Sequence, residues 1–358
     1  MNLNYKRAAG FGFAHGINDF IGGYLLSYLA GHGQNKYVIF YAFLIYSLIA
    51  FGGQLPVGIV LDKVQKLKSF SLFGVAAMAG AIILAPFHLL AAIILSGIAS
   101  AFVHVCGGTV CYLSKQDDAT LMGMFASPGV IGLVLGTVLG AISQTILVSL
   151  RMLLPLAALF IWMQRISFPS YEIVKKESTK TDQLISEQHD FFMIVLLAAI
   201  AFRSLLWNMV QLIHLQDYYW ILGLGISAGI GKLAGGYLSF KINWKNYILI
   251  SMFAAILFLN IDRGNFWLFC IGVALLQSAL PVTVLLMQNF FKTLPATAAG
   301  LSLGVAVILA GLPTYLESVR RIPDDKWLFL GMGALFLLFN GMVVFLGKRK
   351  VKVKSEAV

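Results

Sequence analysis

The sequence predicts an all-α integral membrane protein of twelve transmembrane helices arranged as two six-helix halves. Three observations carry this: apolar runs of membrane-spanning length, a strong bias in where Lys and Arg fall, and short motifs that recur in order in the second half. The chain is 59% hydrophobic and only 11% charged, against about one quarter charged in a soluble domain. Mean hydropathy is +0.86. The runs fall near Ala8–Ala30, Tyr37–Leu61, Ser69–Pro86, His88–Leu113, Leu121–Leu150 and Met152–Gln164, then Phe191–Leu215, Tyr218–Phe240, Asn246–Asn260, Asn265–Phe291, Ala296–Tyr315 and Trp327–Leu346. At roughly 20 residues per span, twelve spans leave little chain for a soluble domain. The sixth and ninth look short.

With the N-terminus cytoplasmic, eighteen Lys and Arg residues fall at inner ends and loops and six outside. This positive-inside bias places both termini in the cytoplasm of a cell-membrane protein. It also accounts for the net charge of +11 without nucleic acid, and makes the basic tail a topology anchor. The first run has no small-residue cleavage site and reads as a retained helix. The expected organisation is a six-helix half over 1–165, a polar cytoplasmic linker over 166–190, a second half over 191–347 and a basic tail over 348–358. Cys106, Cys111 and Cys270 lie within spans and suggest neither a disulfide framework nor a metal site. No cofactor is expected, and one chain of twelve spans encloses a whole path as a monomer.

The first span, AAGFGFAHGINDFIGGYLLSYLA, is polar where hydrocarbon should be. His15 and Asp19 share a helix face with Asn18 nearby, and Asp19 lies about 16 Å into the membrane at 1.5 Å per residue. An ionisable group at that depth marks an ion or substrate path. A structural helix-helix hydrogen bond is the plainer alternative. His104, eleven residues before Lys115, has a similar depth and can carry a proton near neutral pH. In the fifth span, Gly132, Gly136 and Gly140 form a stripe for close helix approach. Arg203 puts a permanent cation near mid-membrane in the seventh span. It can pair with Asp19 or bind an anion. Lys232 either reaches a central cavity or stretches toward the cytoplasm. Gln54, Asn208, Gln211 and Gln277 are further cavity donors and acceptors.

The second span ends in GGQLPVGIVLDKVQKLKSF. Gly58, the Asp62–Lys63 pair, Lys66 and Lys68 resemble the loop motif of the major facilitator superfamily, with Gln65 where that motif usually has glycine. The resemblance implies a gate at Gly58, Asp62 and Lys63; an ordinary positive-inside loop is the alternative. Lys115, Thr120 and Gly123 recur as Lys292, Thr297 and Gly300. Gly58 and Lys63 recur as Gly236 and Lys241, with Phe240 replacing Asp62. Parallel six-helix repeats are a known transporter plan. AHGINDFIGGYL, the mid-helix His104 and FRSLLW together resemble the fosmidomycin-resistance-like branch of that superfamily. This implies alternating access and export of a small drug-like or anionic solute in exchange for protons. Asp19 would then exchange protons with His15 or His104 assisting, and Arg203 would pair with Asp19 or the solute. The same charges would serve proton-coupled uptake of a sugar or organic acid. A non-transporting receptor or a membrane enzyme belongs to another class, and no metal-ligand cluster or nucleophile-base motif in the sequence favours the enzyme.

Overall fold

The computed structural model describes residues 2–33, 35–171, 182–213, 217–316 and 326–355. Twelve helices follow in order: α1 Leu3–His32, α2 Lys36–Val64, α3 Leu67–Leu84, α4 Leu89–Ser114, α5 Ala119–Ile142 and α6 Ile146–Arg165, then α7 Asp182–Ile213, α8 Tyr218–Lys241, α9 Trp244–Ile261, α10 Phe266–Phe290, α11 Pro295–Tyr315 and α12 Lys326–Ser355. Among the described residues there is no strand. All of these helices except α1 contain a stretch long and apolar enough to cross a membrane. In α1, His15, Asn18 and Asp19 interrupt the apolar sequence, yet its 30 residues extend about 45 Å. The middle of the expected linker lies outside the described residues. Its end is helical, because α7 begins at Asp182 rather than near Phe191. The basic tail continues α12 through Ser355.

The short sixth span is explained by a boundary that apolar residues concealed. α5 ends at Ile142, where Ser143 turns extended. Ile146–Met152 then forms a 3₁₀ segment leading into α6, its start capped by the Thr145 hydroxyl accepting from Leu147 N–H. The apolar sequence through Leu150 therefore belongs to two helices.

Close packing inside the first half follows from small residues. A Cβ at Gly132, Gly136 or Gly140 would press on the backbone carbonyl of Gly16, Phe20 or Tyr24 respectively. The four-residue stripe thus lets α5 lie against α1 in the most extensive helix contact among the described residues. In the second half, Gly231 and Gly235 seat α8 against the Ala274 and Ser278 carbonyls of α10. One apolar core draws mainly on α1–α6 and two others mainly on α7–α12. The halves meet chiefly through α5 on α8 and α2 on α11. Each helix of the latter pair contains a π turn, at Leu48–Gly52 and Gly300–Val305, and the two turns touch. With twelve helices, both chain ends lie on one face, called the N-terminal face below.

Candidate functional site

Two separated clusters emerge, one inside the first half and one on the N-terminal face. In the first, α1 places His15 and Asp19 one turn apart, and His15 Nε2 lies 3.1 Å from Asp19 Oδ2. From α4, His104 Nε2 approaches Asp19 Oδ1 at 3.7 Å. The imidazoles stand edge to face with centroids 4.3 Å apart, and His15 stacks on Phe125 at 4.6 Å. A side chain at Gly129 would occupy the His15 ring position, so this glycine makes the seat. Asn18 Nδ2 donates to Asp19 Oδ1 at 2.9 Å and to Ser100 Oγ at 3.1 Å, while Asn18 Oδ1 is buried without a partner.

The outer ring nitrogens decide what this cluster can hold. His15 Nδ1 faces the Phe125 carbonyl at 2.9 Å, and His104 Nδ1 faces the Ser100 carbonyl at 2.8 Å. A carbonyl only accepts, so each Nδ1 carries hydrogen and each Nε2 is turned toward Asp19. For His15 to hydrogen-bond a carboxylate as well, a further proton must lie between His15 and Asp19. The pair then holds one transferable proton and is neutral overall. His15, Asp19 and His104 also offer three ligand-type atoms within 4.8 Å of one another, the donor set that could hold a divalent metal. The sequence signalled no such cluster because His104 is remote in the chain.

In the second half, Arg203 on α7 is 3% exposed. Its Nη1 donates to Gln277 Oε1 of α10 at 3.0 Å, and its Nε is buried without a partner. Neither Arg203 nor Lys232 forms an ion pair within 4 Å among the described residues. The expected Arg203–Asp19 pair is therefore not made in this structure. Asn208 is half-buried with its amide near Gly311, and Gln211 is half-buried one turn further on. Gln54 is fully buried but sits elsewhere. Its Nε2 donates to the Ala50 carbonyl at 2.9 Å, and its Oε1 approaches the α11 π turn at Gly304.

The second cluster joins α2 to α11. Asp62 accepts from Ala296 N–H at 3.0 Å, Thr297 N–H at 2.7 Å, the Thr297 hydroxyl at 2.6 Å and the Tyr171 hydroxyl. Burial first, and then the Asp62 carboxylate, push the Tyr171 hydroxyl well above its ordinary pKa, which keeps it a donor. Gly58 lets the chains approach, since a Cβ there would press on the Ala296 carbonyl. Lys63 is exposed and outside this network. The need for a carboxylate from α2 is local: α11 opens with Pro295 and has no side-chain cap of its own. At the corresponding start of α5, Asp118 caps its own helix through Thr120 N–H at 2.9 Å. There Gly236 packs against Ala119, and Phe240 takes the place of Asp62. Ser100 and Thr297 extend the candidate set. Ser100 was findable, one turn before His104 on the same face; Tyr171, in a polar stretch with no pattern, was not.

The helices and their two-half arrangement define a multi-pass membrane protein with the major facilitator fold. No family model matches the chain and no curated protein matches it. Among solved structures, it is similar to the E. coli fucose:proton symporter FucP at a TM-score of 0.70 and 12% identity, over 95% of this chain and 98% of that one. It is likewise similar to the human organic anion transporter MFSD10 (TETRAN), at a TM-score of 0.67 and 14% identity, over 95% and 99%.

Proposed function

We propose that this protein is a secondary active transporter that couples protons to a small anionic solute by alternating access. The observation carrying the reading is the His15–Asp19–His104 cluster in one half and, in the other, Arg203 buried without an ion-pair partner, with Lys232 in electrostatic reach of both. Ionisable groups at membrane depth are expensive and face pathways. Gln277 orients Arg203, while Asn18, Asn208 and Gln211 offer further polar contacts to a solute. Support for the class comes from the fold, shared with a fucose:proton symporter and an organic anion transporter.

The sign of coupling follows from charge. A proton shared by His15 and Asp19 cancels the negative charge that would otherwise compete with a solute for the cations of the site, Lys232 first. Protonation therefore raises the affinity for an anion, and by reciprocity the anion raises the affinity for the proton. That favours proton and anion moving together, the behaviour of an organic-acid symporter. Export in exchange for protons, implied by the resemblance to the fosmidomycin-resistance-like branch, is the second reading. Asp62, Gly58 and Tyr171 act in this scheme as a gate on the N-terminal face, taken as cytoplasmic from the positive-inside bias, with Lys63 as its exposed neighbour. The path lies within one chain, so a monomer suffices.

The test uses purified protein in liposomes with an imposed pH gradient and radiolabelled small organic acids. Symport predicts accumulation on the alkaline side, abolished by Asp19→Asn and by Arg203→Gln. Movement toward the acidic side would replace it with exchange. Full gradient-driven transport by Asp19→Asn would refute the proton role.

A further inference from the structure

Lys232 is a half-buried charge that neither the proton cluster nor the N-terminal-face cluster uses. It lies nine residues before Lys241, the last residue of α8, so its Cα is about 14 Å inside that end. Its backbone carbonyl packs against Gly123 of α5 at the contact between the halves. Helical side chains lean toward their own N-terminus. α8 begins at the opposite face, so that lean runs toward the membrane centre and away from the N-terminal face. Lys232 is half-buried and lies within electrostatic reach of Arg203, Asp19 and His104.

The charges in the site can then be summed. His15 and Asp19 with their shared proton contribute none, and His104 contributes none as a neutral imidazole. Arg203 and Lys232 contribute two positive charges. No described carboxylate lies within ion-pair distance of either cation, and Arg203 Nε has no acceptor. Uncompensated buried cations are costly, and a bound anion that accepts from both removes that cost.

We propose that Arg203 and Lys232 form a two-cation subsite selecting a small dianion, a dicarboxylate or phosphate monoester, over the corresponding monoanion. This rests on the transporter reading and adds the charge class of the solute. In the complex, Arg203 presents Nε and its unbonded Nη2 to one anionic group as a planar fork. Lys232 supplies a compact point charge to the other group, or to the second charge of a phosphate.

The experiment measures thermal stabilisation of the full chain in nanodiscs at pH 7 by succinate against monomethyl succinate, and by methyl phosphate against methyl sulfate. The expected wild-type result is half-maximal stabilisation by each dianion at a concentration at least about tenfold lower than its monoanion. A tenfold ratio corresponds to about 1.4 kcal/mol. Lys232→Gln should erase that preference while keeping monoanion binding, Lys232→Arg should restore it, and Arg203→Gln should abolish binding of both. Equal potency of dianion and monoanion, an undiminished preference in Lys232→Gln, or no stabilisation of folded wild type by either dianion overturns the proposal. Proton-driven flux in liposomes is read in parallel. Flux of another solute without dianion binding would overturn the subsite and leave the transporter reading; dianion binding without proton-dependent flux would do the reverse.

Discussion

Replacing Asp62 by Asn tests the gate, because the change preserves shape and removes charge. Asp62 takes three hydrogen bonds from Ala296 and Thr297 at 2.6 to 3.0 Å and a fourth from Tyr171. Charge-assisted hydrogen bonds are worth about twice neutral ones, a difference near 1 kcal/mol each. The carboxylate also faces the positive end of the α11 dipole. An Asn amide accepts through only one atom and turns a donor toward the others. The three bonds to α11 therefore lose about 3 kcal/mol. If the contact exists only when the N-terminal face is closed, the ratio of closed to open states falls by about 10²-fold at 1.4 kcal/mol per decade. Spin labels at Lys66→Cys and Lys292→Cys, both exposed positions, report the distance between the ends of α2 and α11. The background carries Cys106→Ala, Cys111→Ala and Cys270→Ala. Electron-electron double resonance should show a longer distance population in Asp62→Asn that is minor in the parent, with Tyr171→Phe intermediate. Identical distributions in parent and Asp62→Asn would refute the latch.

Four further substitutions concern stability. Gln65 closes α2 with φ 58°, the one positive φ among described non-glycine residues. Gln65→Gly should therefore raise thermal stability by about 1 kcal/mol, and an unchanged or lower melting temperature would contradict this. Gly136→Val drives a side chain into the Phe20 carbonyl and should cost about 3 kcal/mol or prevent folding. Gly341→Ala, with open space around it, should be neutral or gain up to about 1 kcal/mol; the check is size-exclusion behaviour and melting of both. At the start of α5, burial acts to raise the Asp118 carboxyl, but hydrogen bonds from Thr120 and Lys115 outweigh it and hold it below the ordinary value. A depressed native pKa adds stability above the unfolded value near 4, lost as pH falls through the native one. Asp118→Asn should therefore cost about 1 kcal/mol at pH 7, the difference between a charge-assisted and a neutral hydrogen bond, with the gap narrowing below pH about 4. Melting curves across pH check this, and a gap constant from pH 7 to pH 3 would remove the carboxylate from the account.

The sequence by itself determined how many helices the chain forms and where along each helix the charged groups fall. Apolar run length and helix rise are local quantities: they put Asp19 and His104 at one level and gave the α5 glycine stripe its four-residue period. They could not separate α5 from α6, because the residues between them are as apolar as the helices and only the extended backbone at Ser143 divides them. Tertiary structure decided which polar groups meet. It joined His104 to Asp19 from 85 residues away, gave Arg203 to Gln277 instead of Asp19, and drew Gln54 to the α2–α11 contact. It also made Asp62 the cap of a helix in the other half, while Lys63 remained outside. Depth is set along one helix, whereas partnership depends on the rotation and spacing of two. For α1 on α5, α8 on α10 and α2 on α11 they are set by backbone contacts at glycines, where one added methyl group would move a helix and the charges it carries.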